Sequence, residues 1–320
     1  MEYPHFYLIS LDAHGVDSQS MGLSPTQFAA ISPLTKLYIS IPLRRIGGGS
    51  NTFAHNFERW AKRHGHQIVL DIATAERAFV IAHKATEEQL ERARQSRCRI
   101  VHRLDEHFEP NEDEYRRQKH AQIIALNRYA DVTVFQSQFV FENVYPHIKP
   151  QEYCIIHNGS DPKVFRPPRQ PGQNIGHVTW GVGDKKRLDL LFDVIERMPN
   201  ERFWLVGRHQ ELPLPFRQLP NVVLRGQRSR RQMPEEYRRM KMLFFPSEND
   251  PCSNTVIEAI LSGVPVCYHN SGGTPELVKD CGEPLENLEQ LLSDLNTYRS
   301  RCRTRTDLHF SRVAERYMQV

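Results

Sequence analysis

The chain alternates short apolar runs with helical patterns along most of its length, and the alternation breaks once. LYISIPL (37–43), QIVLDI (67–72), AFVIAH (78–83), CRIVHRL (98–104), DVTVFQ (131–136) and YCIIHN (153–158) read as strands. A helix is expected from Asn51, because Phe53, Phe57, Trp60 and Ala61 share one face and Gly65 can end it. PPRQPGQN (Pro167 to Asn174) then interrupts the pattern as a linker. Beyond it GHVTW (176–180), RFWLVG (202–207), NVVLRG (221–226), MLFFPS (242–247) and VPVCYH (264–269) read as further strands. Strand–helix alternation builds parallel sheets covered on both faces. The expected fold class is therefore α/β: a first domain over residues 1–166, with 1–35 an extension packed on it, and a second over 167–304. Facing sheet edges would leave a cleft, and ligands of open α/β sheets bind outside the carboxyl ends of the strands.

The 320 residues suffice for two such domains. A net charge of +4 is too weak and too dispersed for a nucleic-acid binder. The most basic run, Arg225 to Met242, also carries Glu235 and Glu236 and reads as a solvated helix face rather than an anion patch. The six cysteines form no C-x-x-C pair and several lie in apolar runs, which suits reduced, buried thiols and argues against zinc. No apolar run reaches bilayer length, and MEYPHFYLISLDAHG lacks the form of a signal peptide. The expectation is a soluble, cytoplasmic protein, with peripheral membrane contact left open.

The chemistry concentrates in PSENDPCSNTVIEA (246–259). MLFFPS leaves the sheet at its carboxyl end, NDPCSN is a loop, and Ser253 or Asn254 can cap a helix through VIEAILS that Gly263 closes. Asp250 then lies ahead of a helix N-terminus and Glu258 in its second turn. A second strand-to-helix junction, SGGTPELV, follows, with Ser271, Gly272 and Gly273 leaving amides open and Pro275 suited to the first helical position. Helix N-termini favour anions such as a diphosphate, whereas carboxylates accept hydrogen bonds from sugar or ribose hydroxyls. A diphosphate between two polyols, a nucleotide sugar, meets both demands. The same residues also suit a plain Rossmann-like domain with surface acids.

PSENDPCSNTVIEAILSGVPV followed by SGGTPELV resembles the signature of family 4 glycosyltransferases, whose fold is GT-B: two Rossmann-like domains facing across a cleft. IIHNGSDPKVFRP, ADVTVFQSQFV and GGGSNTFAHNFERWAKRHGH resemble further segments of that family. FSRVAERY resembles the helix that returns to the N-terminal domain, assigned here to residues 305–320. The resemblance covers roughly Leu37 to Val320.

It implies a retaining, metal-independent transferase that takes a sugar from a nucleotide-diphosphate donor to a hydroxyl of a glycan, lipid-linked or small-molecule acceptor, without a cofactor. Glu258 would hold the ribose hydroxyls, Asp250 the donor sugar, and Lys186 the diphosphate. Asp250 stands where the family has Glu, and Gly181 where it has an arginine, a role Lys185 or Arg187 can take over. Gly48, Gly49, Lys185, Ser253, Asn254, Thr255, Gly272 and Gly273 complete the donor side. Asp105, His107 and Ser137 are acceptor-side candidates, with Gln136 beside them. Other readings stay open. A surface turn or a divalent-metal site suits Asp105 and His107, and a nicotinamide enzyme suits the Gly47–Gly49 cluster with Asp71. A sugar-nucleotide epimerase or hydrolase and a non-catalytic nucleotide-sugar-binding subunit suit the whole architecture.

Overall fold

The computed structural model describes residues 34–41, 49–109, 112–181, 183–209 and 214–320. The sequence-based readings of residues 1–33 and of Gly47 and Gly48 lie outside them. Twelve strands are seen among the described residues: β1 (Lys36–Ile39), β2 (Gln67–Ile68), β3 (Arg77–Ile81), β4 (Arg99–Leu104), β5 (Val132–Phe135), β6 (Tyr153–Ile155), β7 (Asn174–Thr179), β8 (Phe203–Gly207), β9 (Val222–Gly226), β10 (Met240–Phe245), β11 (Val266–Tyr268) and β12 (Gly282–Pro284). The α-helices are α1 (Gly49–Arg63), α2 (Glu87–Gln95), α3 (Glu114–Asn127), α4 (Gln138–Ile148), α5 (Leu188–Arg197), α6 (Leu214–Arg217), α7 (Met233–Arg238), α8 (Asn254–Leu261), α9 (Thr274–Val278), α10 (Leu288–Ser293), α11 (Leu295–Thr304) and α12 (Phe310–Gln319).

Two six-stranded sheets result, ordered β2-β1-β3-β4-β5-β6 and β12-β11-β10-β7-β8-β9. Every strand pair is parallel. In each sheet the strand order reverses once, between β1 and β3 in the first and between β7 and β10 in the second. Such reversals open a crevice at the carboxyl edge.

The helix face read from the 3.6-residue period is the buried one. Phe53, Phe57, Trp60 and Ala61 of α1 pack on Leu37, Phe79, Ile81, Val101 and Val134 of the first sheet. The last helix, α12, joins the same core through Phe310, Val313, Ala314 and Tyr317. In the second lobe, Val256, Ile257 and Ile260 of α8 cover one face, and Leu191, Val194 and Ile195 of α5 the other. Each fully buried side chain of this size contributes about 1.5–3 kcal/mol of transfer free energy.

The basic run departs from the expectation of a solvated face. Glu236 is buried and draws in Arg228 at 2.7 Å, Arg225 at 3.3 Å and the indole N–H of Trp204 at 2.7 Å. A buried carboxylate needs such partners, so the arginines turn inward. Pro275 also sits one place later than expected, since α9 opens at Thr274.

Candidate functional site

The site forms where the carboxyl edges of the two sheets face each other. β10 ends at Phe245, and the loop that follows carries Asp250. Asn249 takes a left-handed conformation, φ 52°, and its amide donates to Ser271 Oγ at 2.9 Å. Gly273 N–H donates to Asp250 O at 2.9 Å, so the two strand-to-helix junctions are laced together. Gly272 holds φ 64°, and a Cβ there would meet Asp250 N and O at 2.7 Å; only glycine fits this crossing.

Ser253 caps α8, its Oγ accepting from Val256 N–H at 3.4 Å. The first amides of the helix, at Asn254 and Thr255, stay free of intrahelical partners by geometry. Glu258 stands one turn further in. Tyr237 Oη donates to its Oε2 at 3.2 Å. Burial pushes the Glu258 carboxyl up to about 7, against the downward pull of Arg230 and Tyr237. Asp250 is also raised by burial, opposed by Lys186 and by a hydrogen bond from the Cys252 amide.

Lys186 lies in a 3₁₀ turn, Asp184–Lys186, just beyond β7, and this turn is tied to the β10 exit by Glu248 N–H donating to Lys185 O at 2.8 Å. The Lys186 charge acts on Asp250. Lys185 points across the cleft instead, pairing with Glu109 of the first lobe. Arg187 pairs with Asp189 at 2.9 Å, and nothing stands within 4 Å of a Cβ at Gly181. Asp250 and Lys186 are therefore near each other at this edge, Glu258 stands apart from them with Tyr237 and Arg230, and Lys185 is spent on an interlobe ion pair.

The first lobe brings Gly49 to this edge, where Asn254 Nδ2 donates to its carbonyl at 3.5 Å. Asp105 follows β4; its Oδ2 accepts from Arg103 Nη1 at 2.9 Å and from Ser50 Oγ. His107 is held by Glu109 at 2.8 Å, and burial, helped by Lys185 and Arg116, lowers the ring to about 4. Ser137 caps α4, accepting from Val140 N–H at 3.1 Å, and lies against Gly273 of the second lobe.

Three further participants were not named as site residues, although Asn158 lies in IIHNGSDPKVFRP and Glu276 in SGGTPELV. Arg230 reaches over to Asn56 of α1 at 2.6 Å while acting on Glu258. Asn158 donates through its amide to Cys252 Sγ at 3.2 Å and through its side chain to Cys252 O at 3.0 Å. Glu276 accepts from the amides of Gln138 and Phe139 at 2.8 and 3.1 Å and bonds His157 at 2.9 Å. Among the described residues no three His, Cys, Asp or Glu side chains group to hold a metal ion.

Residues 173–294, which carry all of Lys186, Asp250 and Glu258, match the family model of glycosyl transferases group 1. The second lobe is a glycosyl transferases group 1 domain. Sulfoquinovosyl transferase SQD2 of Arabidopsis thaliana is 28% identical to the chain over 143 residues, which span 43% of the chain and 26% of that relative. Among solved structures, Anabaena HepE in complex with UDP superposes with a TM-score of 0.71 at 14% identity, over 89% of this chain and 99% of that one. Sucrose-phosphate synthase of Thermosynechococcus elongatus gives 0.69 at 15% identity, over 89% and 98%. These likenesses show the fold on both sides of the cleft, GT-B, with the group 1 domain as its second lobe. Among the described residues no helix is long and apolar enough to cross a membrane.

Proposed function

We propose that the chain is a retaining glycosyltransferase of family 4 that moves a sugar from a nucleotide-diphosphate donor to an acceptor hydroxyl, without a metal. What supports this reading is the order of the segments: Lys186 follows β7, Asp250 follows β10, and α8 next to it carries Glu258 and the free amides, β7 and β10 being the strands that flank the strand-order reversal of the second sheet. Glu258 accepts from the ribose hydroxyls, Lys186 and the α8 amides meet the diphosphate, and Asp250 meets the sugar. The acceptor oxygen attacks the anomeric carbon as the carbon–oxygen bond to phosphate breaks. The diphosphate leaves with the electron pair from the face the acceptor enters and takes the acceptor's proton. Lys186 offsets the charge that grows on it. The contacts across the cleft keep water from the sugar.

HepE was crystallised with UDP and with UDP-glucose, which makes uridine the first base to try. Thermal melts with UDP, GDP, ADP, CMP and dTDP test the donor site. A ligand at a hundred times its Kd stabilises by about 2.7 kcal/mol, and Lys186→Met should abolish most of that shift for the diphosphates. No response to any nucleotide sinks the reading. The open space at Gly181 favours one rival, a binder without turnover, because a single lysine then faces the diphosphate. Nucleotide binding without consumption of any nucleotide sugar decides for that rival.

A further inference from the structure

Just past the carboxyl ends of β3 and β4, two buried polar atoms stand without a partner: His83 Nδ1 and Asp105 Oδ1. The last register pair of these strands is Ile81 with Arg103; the chain then turns at Ala82, φ 47°, whose N–H donates to Arg103 O at 2.9 Å, and the Asp105 charge acts on the His83 ring. Asp105 is not free to turn. The Asp105 side chain is only 8% exposed, and its other oxygen is held by Arg103 and Ser50. The other ring nitrogen of His83 bonds the Lys84 ammonium.

An ammonium only donates, so Nε2 of His83 must accept, and the proton of the neutral ring sits on Nδ1. Burial, Lys84, Lys119 and His120 outweigh the opposing pull of Asp105 and hold the ring to about 4, so it is neutral at pH 7. One unsatisfied donor thus stands beside one unsatisfied acceptor. Groups of this kind are normally paired in folded proteins. A carboxylate or phosphate would satisfy His83 but be repelled by Asp105, and an ammonium would satisfy Asp105 alone. A hydroxyl, donor and acceptor in one atom, satisfies both.

We propose that His83 Nδ1–H and Asp105 Oδ1 form a subsite for one hydroxyl of a polyol, which in the transferase is a hydroxyl of the acceptor. Only that last clause rests on the function proposed above. Ser50 couples the subsite to the start of α1, and so to Gly49 and its contact with Asn254 on the donor side.

Saturation-transfer NMR of the full chain, with D-glucose and glycerol as probes, tests the subsite in wild type, His83→Ala and His83→Asn. The wild type should bind a probe, and His83→Ala should weaken it about tenfold, the usual effect of losing one hydrogen bond to a ligand. His83→Asn, which keeps an N–H near the Nδ1 position, should recover most of the loss. The thermal shift with UDP should be the same in all three proteins. Wild type that binds neither probe overturns the proposal. So does unchanged binding in His83→Ala, a UDP shift that falls in step with polyol binding, or a crystal structure with only a bridging water that glucose does not displace. If instead no nucleotide binds but glucose still does so through His83, the transferase reading fails and the subsite stands.

Discussion

Glu258 is a residue at which binding and stability pull in opposite directions. Its carboxyl is raised to about 7 by burial, yet in the role proposed for it, accepting from ribose hydroxyls, the ionised form binds best. Nucleotide affinity should therefore rise with pH through about 7 and level off above it. Glu258→Gln should flatten that profile, which titration calorimetry with UDP between pH 5.5 and 8.5 would read. Stability runs the other way. A carboxyl raised in the folded state binds protons that the unfolded chain has already lost, so between the unfolded value and about 7 the protein loses stability as pH rises. The cost is fully present at pH 8 and has an upper bound on the order of 3 kcal/mol. Glu258→Gln should thus raise Tm at pH 8 and change it little near pH 4.5, and an equal gain at both would refute the account. Glu258 and Asp250 were legible in the sequence because a strand exit and a capped helix place them without tertiary information. Arg230 and His83 were not, because their neighbours, Asn56 with Glu258 and Asp105 with Lys84, are mostly brought in by other segments.

At the scale of elements, the strands carried their own signal wherever an apolar run was present. β12 did not: Gly282, Glu283 and Pro284 offer no alternation and no β-branched residue, and the strand exists because β11 supplies a parallel edge. The helix ends show the same division. Ser253 is a cap that the sequence reading named and Ser137 one that it did not, and α4 has a second cap from the opposite lobe. Glu276 takes the Gln138 and Phe139 amides, two of the donors a helix start leaves unmatched. Burial pushes its carboxyl up, but His157 and these amides outweigh burial and hold it below the ordinary glutamate range. Glu276→Gln keeps the shape and loses the charge at a positive helix end. It should cost about 1 kcal/mol and speed hydrogen exchange at Gln138 and Phe139 while the rest of α4 stays protected. Uniform loss of protection along α4 would mean the contact is structural to the whole helix and no latch between lobes.

Across the whole molecule, the chain passes between the lobes twice, and the two passes lie side by side. Ser160 bridges His309 in parallel, with Ser160 N–H donating to Leu308 O at 3.0 Å and Phe310 N–H to Ser160 O at 2.9 Å. This double crossing lets the segment from Thr306 onward leave the second lobe and deliver α12 to the core under α1. It is also where any opening of the cleft must bend, since hinges are short segments at element ends. Gly159 makes the close approach feasible: a Cβ there would stand 2.8 Å from Leu308 O and 2.8 Å from Val313 Cγ2. Gly159→Val should force the crossings apart and lower stability by about 1–3 kcal/mol, the range for overpacking a tight contact. The residues proposed to hold the nucleotide lie in the group 1 domain, but Asn158 beside the wedge bonds Cys252 of that domain, so the thermal shift with UDP should shrink without vanishing. The turnover proposed above would need both lobes, because Gly49 and Asp105 lie on the first. Small-angle scattering should show a larger radius of gyration in Gly159→Val and a smaller decrease on adding UDP-glucose. A variant with wild-type Tm and scattering would show that the crossings tolerate the wedge and that closure bends elsewhere.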